Sequence, residues 1–117
     1  MLSKKHRLKK RSLISFILSR GEKQFSAFFV CRYRVGKDMA LPSLRFAFLI
    51  SKKLYKKAVD RNRFKRQIAE IVRLYLKENK SFSNSKDIVI LPMKNVINTE
   101  FDKLETDLKA ILSKILN

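Results

Sequence analysis

The sequence predicts an α/β sandwich, a sheet covered by helices, and three observations predict it. Apolar residues recur at helical spacing in three separate segments, and β-branched or aromatic runs lie between them. One strand–helix–strand unit spans Arg45 to Leu91. The residues read in the order helix, two strands, helix, strand, helix. With 117 residues and 45% hydrophobic content, the chain suits one domain, taken as 1–117, whose core needs neither disulfide nor structural metal.

Residues 1–11 read as a basic, irregular arm. Ser12 is the expected N-cap of a first helix with the stripe Leu13, Phe16 and Ile17, stopped by Gly21. From Gln24 to Tyr33 the composition (Phe25, Phe28, Phe29, Val30, Tyr33) reads as one strand. Phe28, Val30 and Arg32 alternate on one of its faces, leaving Phe29, Cys31 and Tyr33 toward the core. Arg34 to Leu44, with Gly36 and Pro42, is a loop, and Arg45 to Ser51 is a strand covered on both faces. A second helix runs from Ala58 to about Asn79 on the stripe Phe64, Ile68, Ile71, Val72 and Tyr75. Ser81 to Ser85 is a polar loop, and Asp87 to Leu91 is a buried strand ended by Pro92. Asn98 or Thr99 caps the last helix, with Glu100 and Asp102 in its first turn. That helix buries Phe101, Leu104, Leu108, Ile111 and Ile115.

Several function classes are excluded early. A lone cysteine, Cys31, forms no internal disulfide and, with the lone histidine, His6, no Cys/His zinc site. It fits a reducing compartment, taken as the cytoplasm, and reads as a small buried hydrophobe, whereas His6 reads as solvated tail. Nothing approaches the ~20 apolar residues of a membrane span, so no membrane partner is expected. Leu13 to Leu18 is too short for a secretory signal, and against a transit peptide stands the folded helix expected from Ser12 to Gly21. The chain has no Gly-rich phosphate loop and no nucleophile–base pair. Asp60 and Glu70 stand isolated among cations, and the acids after Asp87 fall on the exposed side of the terminal helix, so no carboxylate pair for two-metal hydrolysis is expected. No catalytic residue is assigned.

The charge points to a partner. Of a net +18, all lies in residues 1–80, which carry 23 Lys+Arg against five acids; residues 81–117 carry five of each. Like charges crowded into part of a compact domain repel one another unless a polyanion is present. The densest run, Lys52 to Arg66, holds eight cations and one acid, Asp60. At about 100° per residue, Asn62, Arg66, Arg73 and Lys77 fall opposite the apolar stripe, flanked by Arg63 and Lys65. Arginine grips phosphate in bidentate fashion, lysine acts as a point charge, and Asn62 can donate and accept at once. Arg61 and Arg66 lie off the stripe, so neither is expected to support the fold. A strand precedes this helix where a DNA-binding helix-turn-helix needs another helix, which argues against DNA.

The run Arg45-Phe-Ala-Phe-Leu-Ile-Ser-Lys-Lys53, followed by Ala58-Val-Asp-Arg-Asn-Arg-Phe-Lys-Arg66, closely resembles the arginine–asparagine–arginine box of the bacterial ribonuclease P protein subunit. His6 to Lys10, the helix ending in Arg20-Gly21 and the strand Asp87 to Leu91 follow in that family's order and spacing. The resemblance implies an α/β (α+β) two-layer sandwich of order α-β-β-β-α-β-α with a left-handed βαβ crossover. It also implies a partner in the catalytic RNA subunit of ribonuclease P, whose bound Mg ions remove the 5′ leader of precursor tRNA. By resemblance, Lys52, Lys53, Arg61, Asn62, Arg63, Lys65 and Arg66 contact RNA. Lys10, Ile14, Leu18, Phe28, Val30 and Arg32 would line a cleft for the single-stranded leader. The sequence departs from the family pattern in the Leu54–Lys57 turn, which lacks a glycine, and at Ala69, where arginine is frequent. It departs also at Ala47, where glycine is frequent, and at Ile14 and Leu18, where aromatic residues are frequent. The competing reading is a ribosomal or ribosome-assembly RNA-binding protein.

Overall fold

The structure, a computed structural model, describes residues 2, 4–35, 44–79 and 85–116. The loops expected around Gly36–Pro42 and at 81–84 lie outside the described residues. The elements are α1 (Arg11–Arg20), β1 (Glu22–Phe25), β2 (Phe29–Val35), β3 (Leu44–Phe48), α2 (Ala58–Glu78), β4 (Lys86–Pro92) and α3 (Phe101–Leu116). They give the order α-β-β-β-α-β-α. The sheet order is β1-β2-β4-β3, antiparallel except for β3 and β4, which run parallel and are joined through α2. Parallel neighbours need a crossover connection, and this one displays the basic run of α2 beside the sheet edge.

Strand alternation sends residues to two cores. Phe29, Cys31, Leu44, Phe46, Ile88 and Ile90 meet α2 and α3 in the main core of the sandwich. Ala47 and Val89 face the other way and meet Leu8 and Ile17, with Leu13, Ile14 and Leu18 partly buried around them. Both faces of β3 are therefore covered, as expected. Burial pushes the Cys31 thiol up to about 12, with the Asp107 carboxylate adding to the rise.

One end of the sheet is locked by a fully buried carboxylate. Asp87 lies in register with Arg34 on β2 and Arg45 on β3. Arg45 donates from Nε at 2.7 Å and Nη2 at 2.9 Å, and Arg34 donates from Nε at 3.1 Å.

The structure corrects several expectations. The single strand over Gln24–Tyr33 is a hairpin broken at Ser26-Ala27-Phe28. Its turn carries no glycine and is held by Asp107 of α3, which accepts from the Ser26 hydroxyl (2.6 Å) and the Ala27 and Phe28 amides (3.2 and 2.9 Å). Asp107 is thus a structural group and not a solvated acid. Ser12 does not cap α1; the cap position falls two residues earlier, at Lys10, without a side-chain cap. Phe16 and Phe101, expected in apolar stripes, are 48% and 41% exposed, while Leu112 is buried instead. Neither Asn98 nor Thr99 caps α3: Asn98 sits at φ 64° and the Thr99 hydroxyl donates to the Asn95 carbonyl. Gly21 ends α1 as expected, but through close approach. A Cβ there would lie 2.5 Å from the Ile17 carbonyl oxygen and 2.9 Å from that of Tyr33.

The arm is ordered by β3. Leu8 donates to the Phe46 carbonyl (2.8 Å), Arg7 bridges Phe46 in parallel, and His6 Nδ1–H donates to the Leu44 carbonyl (2.7 Å). His6 is therefore half-buried, not solvated tail, and the arm covers an otherwise open sheet edge.

Removing the buried carboxylate strands two guanidinium groups, so Asp87→Ala should destabilise folding by about 3–5 kcal/mol. Denaturant unfolding checks this, and a loss below about 1 kcal/mol would mean that the clamp does not hold the sheet.

Candidate nucleic-acid interface

The turn from β3 into α2 is built to present lysines. The Ser51 carbonyl accepts from the Leu54 and Tyr55 amides (3.1 and 3.2 Å), and its hydroxyl accepts again from Leu54 (3.2 Å). Leu54 and Tyr55 pack on the main core, with the Tyr55 ring 5.3 Å from that of Phe64. Burial raises the Tyr55 phenol above its ordinary value, with the Asp60 charge adding to it. This anchoring leaves Lys52, Lys53, Lys56 and Lys57 exposed. Arg61 fastens the turn from the other side, its Nη1 donating to the Tyr55 and Lys56 carbonyls at 2.9 Å each. Arg61 therefore supports the local fold, contrary to the expectation for a residue off the stripe.

On α2, Phe64 and Ile68 point inward while Asn62, Arg63, Lys65 and Arg66 are exposed. Those four span about 160° of the helix circumference, opposite the core stripe. Arg63 reaches Asp60 at 3.2 Å, an exposed pair of small worth that water and salt screen. Further along, Arg73 is paired with Glu70. Glu70 is therefore not isolated: the hydrogen bond from Arg73 holds its carboxyl below the usual range. Lys65 and Arg66 make no ion pair with any described residue.

Two depressions flank this ridge, with Arg66 on the border of both. A shallow groove on the α3 side is lined by Arg63, Gln67, Glu70 and Phe101. On the arm side, a hollow of about 340 Å³ opens between the arm, β3 and α2. Arg7 and Lys9 join Lys65 and Arg66 there, and sequence reasoning missed both. The only trace in the sequence is Leu8, an apolar residue set between cations and buried to 5% exposure.

The α1 face gathers most of the second predicted set. Ile14 and Leu18 pack on the sheet, Lys10 is exposed at the start of α1, and Val30 and Arg32 lie on the same sheet face, opposite Leu91 and Val89. Phe28 does not belong with them. It falls in the hairpin turn, outside the alternation of β2, and packs against the main core. Exposed aromatic surface comes instead from Phe16 on α1 and Phe25, the β1 partner of Val30, at 48% and 59% exposure. Arg32 Nη2 donates to the Gly21 carbonyl (3.0 Å), and its buried Nε has no partner among the described residues.

Among the described residues, no three His, Cys, Asp or Glu side chains come together as a metal site. Asp87 and Asp107 are committed to arginines and hairpin amides. What the surface can do is bind an extended polyanion.

The family model described as Ribonuclease P matches residues 2–116. A ribonuclease P protein component from Syntrophomonas wolfei is 33% identical over 114 residues, covering 97% of this chain and 90% of that protein. A solved structure of the Staphylococcus aureus RNase P protein, 25% identical, superposes with a TM-score of 0.75 over 96% of this chain and 98% of that one. The RNase P protein from Thermotoga maritima, 24% identical with a TM-score of 0.68 and 94% of each chain covered, shares the fold.

The two arginines are expected to separate in mutagenesis. Arg66→Ala should weaken RNA binding and leave the unfolding midpoint unchanged, whereas Arg61→Ala should lower both, by about 0.5–1.5 kcal/mol in stability from the lost hydrogen bonds to the turn. Filter binding and thermal melting of the two variants check this; equal melting loss in both would mean that Arg66 is structural.

Proposed function

The chain belongs to the ribonuclease P protein family, and from that premise we propose that it grips the catalytic RNA through the turn and first two turns of α2. It is a subunit of a ribonuclease whose partner is an RNA subunit; the ribosomal alternative is not supported. The observation that carries the reading is the ridge of Asn62, Arg63, Lys65 and Arg66 opposite a well-packed core stripe, with Lys52 and Lys53 exposed in the turn that leads into the helix. Catalysis is assigned to the RNA and to the magnesium it holds. The protein's share is electrostatic and positional: it screens the repulsion between the ribozyme and precursor tRNA, two polyanions, and guides the 5′ leader.

The α1 face is the proposed leader surface. Exposed Phe16 and Phe25 offer faces on which unpaired bases can stack, worth about 1–3 kcal/mol per base. Val30 and Arg32 lie on the sheet face that Phe25 shares, and the Arg32 guanidinium adds positive charge there. No helix among the described residues is long and apolar enough to cross a membrane. The proposed site of action is the cytoplasm, where precursor tRNA is processed.

Added to a bacterial-type catalytic RNA at low magnesium, the protein should raise 5′ processing of precursor tRNA well above that of the RNA alone, and should cleave nothing by itself. Unchanged processing would overturn the assignment. With roughly five phosphates neutralised, log affinity for RNA should fall against log salt with a slope near −3.5 to −4.5.

A further inference from the structure

We propose that the hollow between the arm, β3 and α2 is a nucleotide subsite that takes one unpaired base of the catalytic RNA, with the adjoining phosphate held at its rim. The inference rests on reading α2 as the RNA-gripping face and adds a pocket that a flat charged ridge would lack.

Its volume of about 340 Å³ lies at the small end of ligand pockets, which run to roughly 300–1,000 Å³. The walls are apolar, with Phe46, Leu49, Ala47 and Ala69 among them, while four cations (Arg7, Lys9, Lys65 and Arg66) stand around it. No acid is among its described lining residues. An apolar interior ringed only by positive charge selects an apolar group tethered to an anion, which is the chemistry of a base on its phosphate. A docking protein segment would instead have to bring acids of its own to the ring.

The hollow is preformed. Leu8 and Arg7 are fastened to Phe46, and Arg7 Nε also donates to the Leu2 carbonyl at 2.9 Å, so binding orders little. It stays open because two residues lining it carry only a methyl group, Ala47 and Ala69. A long side chain at position 69 would reach across it. Ile14 of α1 also lines the hollow, so the choice between the two RNAs rests on its cationic rim. Lys65 and Arg66 belong to the ridge assigned to the catalytic RNA, whereas Val30 and Arg32 of the leader surface lie on β2, separated from the β3 edge by β4.

The test compares adenosine monophosphate with ribose 5-phosphate on the wild-type chain, followed by methyl NMR. The monophosphate should bind at least about fivefold more tightly and shift the methyl signals of Leu8, Ala47 and Ala69. Equal affinities, or shifts confined to lysines and arginines, leave an adventitious anion site only and overturn the subsite.

A variant, Ala69→Arg, adds a cation while filling the hollow. It should abolish the preference for the base and weaken catalytic-RNA binding by about fivefold, with the leader-length dependence of precursor affinity unchanged. Tighter RNA binding by this variant would overturn the proposal, as would loss of leader dependence with catalytic-RNA affinity intact. Thermal melting monitors its fold, and the wild-type comparison stands without it. Failure of these tests with 5′ processing still stimulated removes only the subsite; failure to stimulate processing removes the functional reading itself.

Discussion

The Asp87 carboxylate is the interaction on which the rest of the structure depends. It sits at zero exposure near the start of the central strand β4 and takes both arginine neighbours in register, Arg34 from β2 and Arg45 from β3. Desolvating a carboxylate is costly, and a group that must meet both arginines to offset that cost can also specify one pairing. Here the specificity is register. A slip of one residue would carry Asp87 into the apolar core and Ile88 to the α1 face, exchanging both hydrophobic sets at once. Because β3 and β4 are joined through α2, fixing their pairing also fixes where the basic helix emerges.

The few acids of this chain are distributed with the same economy. Asp87 and Asp107 are used internally, one to clamp strands and the other to hold the hairpin turn where the sequence has no turn residue. Of the acids on α2, Asp60 and Glu70 pair locally with Arg63 and Arg73. Between them, Lys65 and Arg66 keep their charge unmatched by any described acid. Folding and binding thus make separate demands on the charges. Carboxylates stabilise the scaffold, and the excess cations remain for a partner that must bring its own negative charge.

The sandwich, the α2 stripe and the basic run were legible because each is a periodic or compositional signal within a continuous segment. Phe64, Ile68, Ile71, Val72 and Tyr75 are all buried as the 3.6-residue period requires. What escaped was set by contacts between distant segments. The hairpin at Ser26–Phe28 looks like continuous strand because its turn is held by a residue some eighty positions away. Phe101 satisfies the period of α3 yet is left exposed, lining the groove beside α2. The arm reads as solvated charge because the backbone bonds that order it come from the edge of β3. The box lysines and arginines were named from resemblance and spacing, but the division of labour among them, with Arg61 tied to two carbonyls, needed coordinates.

The buried sulfur of Cys31 has a practical meaning. With its thiol fully enclosed and pushed far toward the protonated form, the native chain presents no competing thiol to a maleimide. A cysteine introduced on an exposed position away from the ridge, such as Ser15 or Ala110, would take a fluorophore alone, without first engineering out the natural one. Distances within the assembled ribonucleoprotein thereby become measurable by energy transfer on an otherwise unaltered protein.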